Sequence, residues 1–217
     1  MPDIQYLGRA SVRLRSREGV IITDPYPRGD GYDIGKPVAH IVTVSSNDPS
    51  RSYVEAVRPM GERVFVVDGP GEYEVGGVMI NGIRTYRDAV RGAERGRNTV
   101  YVFHLDDIIF GHLGDLGHEL STHQIEEIGT IDVLFVPAYS ILGAAKLTEV
   151  ISDIEPRVVI PLYDDPGQLD RLAHELGLKE WEAQEKLTVT AASLPAEGEE
   201  TRVVVMQPAG KAVAAVK

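Results

Sequence analysis

A chain of 217 residues with 43% hydrophobic and 25% charged residues has the composition of a soluble globular protein, long enough to bury about 70% of its surface on folding. Twenty-two Lys and Arg against thirty-three Asp and Glu leave a formal charge of −11, which opposes sequence-independent binding to nucleic acid or to an anionic membrane. The absence of cysteine excludes disulfides, thiolate-held zinc, iron–sulfur clusters and thiol catalysis, so any metal would need His, Asp or Glu. The segment from Met1 to Tyr6 lacks the basic region and apolar stretch of a secretory signal, and there is no apolar run of membrane-spanning length, so cytoplasm is the expected compartment.

In chain order, short β-type runs come first, predicted over 4–7, 12–15, 20–23, 40–45 and 64–67. Val20-Ile21-Ile22 and Ile41-Val42-Thr43-Val44 are apolar on both faces, which predicts strands covered on both sides. Between the last two runs a short helix is predicted over 48–57, capped by Ser50 or Ser52 and stopped by Pro59. Strands follow over 78–83, 99–104 and 108–110. A helix begins at Ser121, with Gln124 as its capping-box partner and Gly129 at its far end. Amphipathic helices over 144–154, closed by Pro156, and 166–176, closed by Gly177, alternate with strands over 133–136 and 158–160. Two final strands, over 187–191 and 201–207, flank an acidic turn at 197–200. No repeat and no Pro/Gly/Ser linker divides the chain, so residues 1–217 are expected to form one α/β domain with two sheets.

Four segments carry more information together than apart. Ile21-Ile22-Thr23-Asp24-Pro25-Tyr26, Gly69-Pro70-Gly71-Glu72-Tyr73-Glu74-Val75, Arg95-Gly96-Arg97-Asn98-Thr99-Val100-Tyr101 and Phe110-Gly111-His112-Leu113-Gly114-Asp115-Leu116-Gly117 occur in this order, followed by Asp132-Val133-Leu134-Phe135-Val136-Pro137 and Val159-Ile160-Pro161. From Ile4 to about Pro208 the chain resembles the metallo-β-lactamase superfamily, in particular its compact branch of candidate Zn-dependent hydrolases distantly similar to the ascorbate-6-phosphate lactonase. The resemblance implies an αββα sandwich, two mixed β-sheets flanked by helices, with a metal site at one edge.

That family's chemistry depends on a His-x-His-x-Asp-His loop, which places imidazoles and a carboxylate around one or two metal ions. Aligned with this motif, Ser46-Asn47-Asp48-Pro49-Ser50-Arg51 puts Ser46, Asp48, Ser50 and Arg51 at the His, His, Asp and His positions. The resemblance further implies that Arg87 stands where the next histidine would, that Asp115 matches the bridging carboxylate, that Tyr163 replaces the late histidine, and that Gly8-Arg9 replaces an early Gly-His. Zinc needs three or more imidazoles or carboxylates and an open position for water. Asp48 and Asp115 fall short of this, and Arg51 and Arg87 would repel a divalent cation. The expected outcome is a degenerate metal site and no cofactor.

Arg9, Arg51 and Arg87 set against Asp24, Asp48 and Asp115 then admit two readings. Either they neutralise one another, because a carboxylate cage emptied of zinc needs compensating charge, or the arginines face an open pocket and hold a small anionic ligand by forked hydrogen bonds. Tyr163 is placed either to donate to that anion or to plug the vacated pocket. The enzymic alternative keeps one weakly held metal on Asp48, His112 and Asp115 and hydrolyses a lactone or phosphoester. A third class is a structural subunit, with the closed edge or an outer helix as an oligomer interface.

The spacing His112-x-x-Asp115-x-x-His118, with His123 beyond, resembles a relocated metal site. A His flanked by glycines in a sharp turn more often orients a neighbouring carboxylate, and His118 and His123 are expected on a loop and a solvated helix face. Arg84, Arg87, Arg91, Arg95 and Arg97 form a local basic run, but no aromatic interleaves 91–96 to stack on bases. That run is expected to be a solvated loop, and neither nucleic acid nor membrane is an expected partner. Trp181, Tyr26, Tyr32 and Tyr139 could line a substrate cleft, but buried aromatics with one polar tip are ordinary core constituents, and they are expected there. No nucleophile elbow, phosphate loop or Ser-x-x-Lys pattern supplies a substitute mechanism, so no residue is assigned a catalytic role.

Overall fold

Two sheets face each other across a shared apolar interior. The computed structural model describes residues 1–29, 32–196 and 198–212. One sheet has six strands in the order Leu187–Thr188, Asp3–Gly8, Ser11–Arg15, Val20–Thr23, Ile41–Thr43 and Phe65–Val67. Its first hairpins are antiparallel, and the pairings of Val20–Thr23 with Ile41–Thr43 and of Ile41–Thr43 with Phe65–Val67 are parallel. The other has seven, built from an antiparallel meander through Gly71–Val75, Val78–Tyr86, Arg97–Leu105 and Ile108–His112, continued in parallel by Val133–Pro137, Val158–Leu162 and Arg202–Val203.

Strand alternation separates the faces. In Arg97–Leu105, Tyr101, Phe103 and Leu105 point inward, where they join Ile4, Tyr6, Leu14 and Ile21 of the first sheet in one cluster. Val100 and Val102 point outward and pack beneath the helices. Those helices are α1 (Thr122–Ile128), α2 (Ala144–Ile154) and α3 (Pro166–Glu175). Leu147, Val150, Ile151 and Ile154 of α2 recur at helical spacing and form its buried stripe. The capping box at α1 is present, with Ser121 Oγ accepting from the Gln124 N–H at 3.3 Å and Gln124 Oε1 accepting from the Ser121 N–H at 3.0 Å.

The expected helix over 48–57 is replaced by an irregular loop and a single 3-10 turn, Val54–Ala56. The Asp48 carboxylate accepts from both the backbone N–H and the hydroxyl of Ser50, at 2.9 and 2.8 Å, an Asx-type turn that competes with helix. The outer face of the first sheet is consequently covered by this loop and the preceding chain, with Tyr26, Ile34 and Val57 lying against Ile22 and Val42. Gly71–Val75, which lies within the second of the four motif segments, forms an edge strand because Tyr73 and Val75 pack on the core. The strand expected over 187–191 stops at Thr188, where Thr190 caps a 3-10 turn, and only Arg202–Val203 of 201–207 joins a ladder. Glu197 of the acidic turn lies outside the described residues. Among the described residues no helix is long and apolar enough to cross a membrane.

Candidate functional site

Parallel pairing aligns strand ends, and here it collects side chains at one edge. Asp24 follows Val20–Thr23, Ser45 and Ser46 follow Ile41–Thr43, and Arg87 follows Val78–Tyr86. Asp115 follows Ile108–His112, Tyr139 follows Val133–Pro137, and Tyr163 with Asp164 follow Val158–Leu162. The carboxyl edge of open α/β sheets is where ligands commonly bind.

Arg87 occupies the centre. Its Nε donates to Asp115 Oδ2 and its Nη2 to Asp48 Oδ2, each at 2.6 Å, while Nη1 reaches the Arg95 carbonyl at 3.2 Å. One guanidinium thus holds two carboxylates that would repel each other without it. Burial raises the Asp48 carboxyl, but the Ser50 backbone and hydroxyl and then Arg87 outweigh it and hold the pKa at about 2.

Arg51 is the second clamp, buried to 8% exposure. Its guanidinium carbon lies 3.8 Å from the centroid of the Tyr139 ring, and Nη2 donates to Asp164 Oδ2 at 3.0 Å. Burial works against its charge, and Tyr139 followed by Asp164, Asp115 and Asp24 more than compensate. Among the described residues, Arg51 Nη1, Asp164 Oδ1 and Ser46 Oγ are buried with no hydrogen-bond partner.

Asp24 and His112 form a deeper layer. The Asp24 carboxylate accepts from the Ser45 N–H at 2.6 Å and the Ser45 hydroxyl at 2.7 Å, and burial raises its pKa despite the nearby His112. His112 Nδ1 lies 4.0 Å from Asp24 and accepts from the Gly114 N–H at 3.1 Å, which leaves Nε2 to donate to the Ala10 carbonyl at 2.9 Å. Both ring nitrogens are committed, and burial favours the neutral ring. His112 therefore anchors the first hairpin to the Gly114 turn as well as facing Asp24.

Tyr163 is buried. Its hydroxyl donates to the Met206 carbonyl at 3.0 Å, and its backbone is tied to Tyr6, whose hydroxyl donates to the Tyr163 carbonyl at 2.6 Å. The phenol points at backbone and fills the interior. Arg9 stands on the first hairpin turn, its guanidinium carbon 5.7 Å from the Tyr26 ring centroid. His118 accepts the Tyr86 N–H at 3.1 Å, and His123 lies on the exposed face of α1. The basic loop is organised by buried Asp88, which accepts from the N–H groups of Val90, Gly92, Glu94 and Arg95.

These residues do not suit a metal of the kind the resemblance implies. Asp48 and Asp115 are bound to Arg87, His112 has no free lone pair, and among the described residues no three His, Asp or Glu side chains are placed to hold an ion. Two contributors escape the sequence reading. Asp164 looks like part of the α3 capping cluster Asp164-Asp165-Pro166, and Tyr139 like an ordinary core aromatic. The position of Asp164 directly after Tyr163 is the signal that could have marked it.

The sequence profile of the beta-lactamase superfamily domain matches residues 3–163. A candidate Zn-dependent hydrolase of the metallo-β-lactamase superfamily from Thermotoga maritima is 32% identical, with a TM-score of 0.74 over 95% of this chain and 98% of that one. A candidate metal-dependent hydrolase from Parabacteroides distasonis shares the fold at 14% identity, with a TM-score of 0.65 over 94% and 93% of the two chains. An isothiocyanate hydrolase from Delia radicum gut bacteria does so at 10% identity, with a TM-score of 0.65 over 98% of each. No curated protein matches this chain in sequence.

Proposed function

Because the chain belongs to the metallo-β-lactamase superfamily, we propose that it is a non-catalytic member in which an ion-pair lattice occupies the edge where relatives would hold metal. The observation that carries this reading is the fork of Arg87, with Asp115 and Asp48 each 2.6 Å away. A divalent cation sharing those two carboxylates would have to displace a fixed positive charge already bonded to both. The loop Ser46 to Arg51 supplies one carboxylate and no imidazole, and Tyr163 spends its hydroxyl on Met206. The opposite reading, hydrolysis of a lactone or phosphoester by a metal on Asp48, His112 and Asp115, would require breaking both Arg87 ion pairs and both His112 hydrogen bonds.

A small anion is a second reading, favoured by Arg51 Nη1, which has no hydrogen-bond partner among the described residues. Charge balance argues against it, since Arg51 and Arg87 face Asp24, Asp48, Asp115 and Asp164.

Metal analysis of protein purified without chelator tests the proposal, together with assays on lactones and phosphoesters. Well under one metal per chain and no turnover are expected. Near-stoichiometric Zn, Mn or Fe with an anomalous scattering peak at this edge would overturn it. A variant carrying Ser46→His, Asp48→His, Ser50→Asp, Arg51→His, Arg87→His and Tyr163→His should gain zinc. A folded variant that takes up none would mean that these are not the old ligand positions.

A further inference from the structure

Beside the ion-pair edge, an open cavity of about 680 Å³ lies between the loop after Ile41–Thr43, the loop after Phe65–Val67 and the start of Arg97–Leu105. None of Asp48, Arg51, Arg87, Asp115 and Asp164 lines it, although Ser46 and Asn47 of the same loop do. Its volume lies within the range of small-molecule sites, about 300 to 1,000 Å³.

Three features of the wall point to a ligand. Ser46 lines the cavity at only 6% exposure, and among the described residues its Oγ has no hydrogen-bond partner; a buried hydroxyl left unsatisfied is destabilising. Arg97 and Asp68 also line it, both exposed, and among the described residues neither has a side-chain hydrogen bond or ion pair. Val54, Val66 and Pro70 add an apolar strip, and no aromatic ring is present to stack on a base.

The wall is preorganised. The Ser45 carbonyl accepts from the Thr99 N–H at 2.8 Å, and the Val67 carbonyl accepts from the Val44 N–H at 2.9 Å. The Gly69 carbonyl closes on Gly82, where a Cβ would come within 2.7 Å of it.

The two charges stand on different elements, Arg97 at the start of Arg97–Leu105 and Asp68 just after Phe65–Val67. Gly82, beneath the Asp68–Gly69 turn, pairs with Tyr101, whereas Arg97 pairs with Tyr86 at the far end of the same ladder. Along that strand Tyr101, opposite the end of the cavity that holds Gly69, and Arg97 lie about 13 Å apart. A single α-amino acid, whose charges lie about 3 Å apart, spans less of that distance than a dipeptide does.

We propose that this cavity binds a dipeptide with free termini and aliphatic side chains. Arg97 receives the carboxylate, Asp68 the ammonium, Ser46 Oγ a group of the peptide bond, and Val54, Val66 and Pro70 a side chain. A simple anion would meet Asp68 and the −11 net charge without compensation, and a simple cation would meet Arg97.

Isothermal titration with Ala-Ala, Val-Val and Leu-Ala, with their N-acetyl and C-amide forms, with L-valine and with sodium phosphate tests the proposal. At least one free dipeptide should bind saturably, and capping either terminus should weaken it tenfold or more. Because Arg97 and Asp68 are exposed, Arg97→Gln and Asp68→Asn should fold normally. Asp68→Asn should no longer discriminate against N-acetylation, nor Arg97→Gln against the amide. No saturable binding by any dipeptide, equal binding of capped forms, or binding of L-valine or phosphate as tight as any dipeptide would overturn it.

Discussion

Arg87 acts as an organic counter-ion whose worth depends on what it leaves behind. Asp48 and Asp115 converge on one guanidinium, so Arg87→Met would strand two carboxylates close together at a partly buried edge. Breaking such a pair costs about 3 kcal/mol, whereas removing all the charges together is often close to neutral. Urea unfolding should therefore show Arg87→Met less stable by about 3 kcal/mol, with most of that recovered when Asp48→Asn and Asp115→Asn are added. If the single and triple variants were equally unstable, Arg87 would be acting through packing alone. Asp48 also carries an acid-stability signature. Its pKa falls from 3.8 to about 2 on folding, so its stabilisation is complete above pH 4 and is lost as pH drops through the folded value. The loss should be about 1 to 2 kcal/mol. Comparing unfolding at pH 4 and pH 2 in wild type and Asp48→Asn should show a smaller drop in the variant.

Loops and turns are held here by single buried acceptors. Asp88 gathers the N–H groups of Val90, Gly92, Glu94 and Arg95, which presents Arg91 and Arg95 to solvent on a defined turn and carries the Arg95 carbonyl to Arg87. Burial opposes the Asp88 charge, and the backbone donors from Arg95, Gly92, Val90 and Glu94 outweigh it and lower the pKa. Asp88→Ala would leave four donors to water or unsatisfied, so amide exchange at these positions should accelerate while α1 and α2 keep their protection. Unchanged exchange there would show the turn to be held by other contacts. The segment after Asp48 obeys the same logic in reverse. A cap at Ser50 or Ser52 and the stop at Pro59 allowed a helix, but the Asp48 carboxylate took the Ser50 N–H and hydroxyl.

At the scale of the whole molecule, closure of the sandwich gathers these residues. Residues as distant in the chain as Ala10 and His112, or Arg51 and Asp164, meet because strands 20–23 and 41–43 run parallel in one sheet and 108–112, 133–137 and 158–162 in the other. Their carboxyl ends open on one side. The same packing places the cavity proposed for a dipeptide next to the lattice without sharing its charges.

Much of this architecture was legible in local pattern. Strand 20–23, the capping box at Ser121 and the stripe of α2 follow from periodicity and cap chemistry, which depend on neighbours a few residues apart. The ordered motifs led to the superfamily, and alignment with its metal-ligand positions singled out Asp48, Arg51, Arg87 and Asp115. Which charge would meet which was a different matter. The pairing of Arg51 with Asp164 under Tyr139, the commitment of both His112 nitrogens and the turning of Tyr163 onto Met206 all join positions far apart in the chain. Side-chain partners across two packed sheets are selected by geometry and desolvation once the core has closed, and one-dimensional spacing carries no record of that choice.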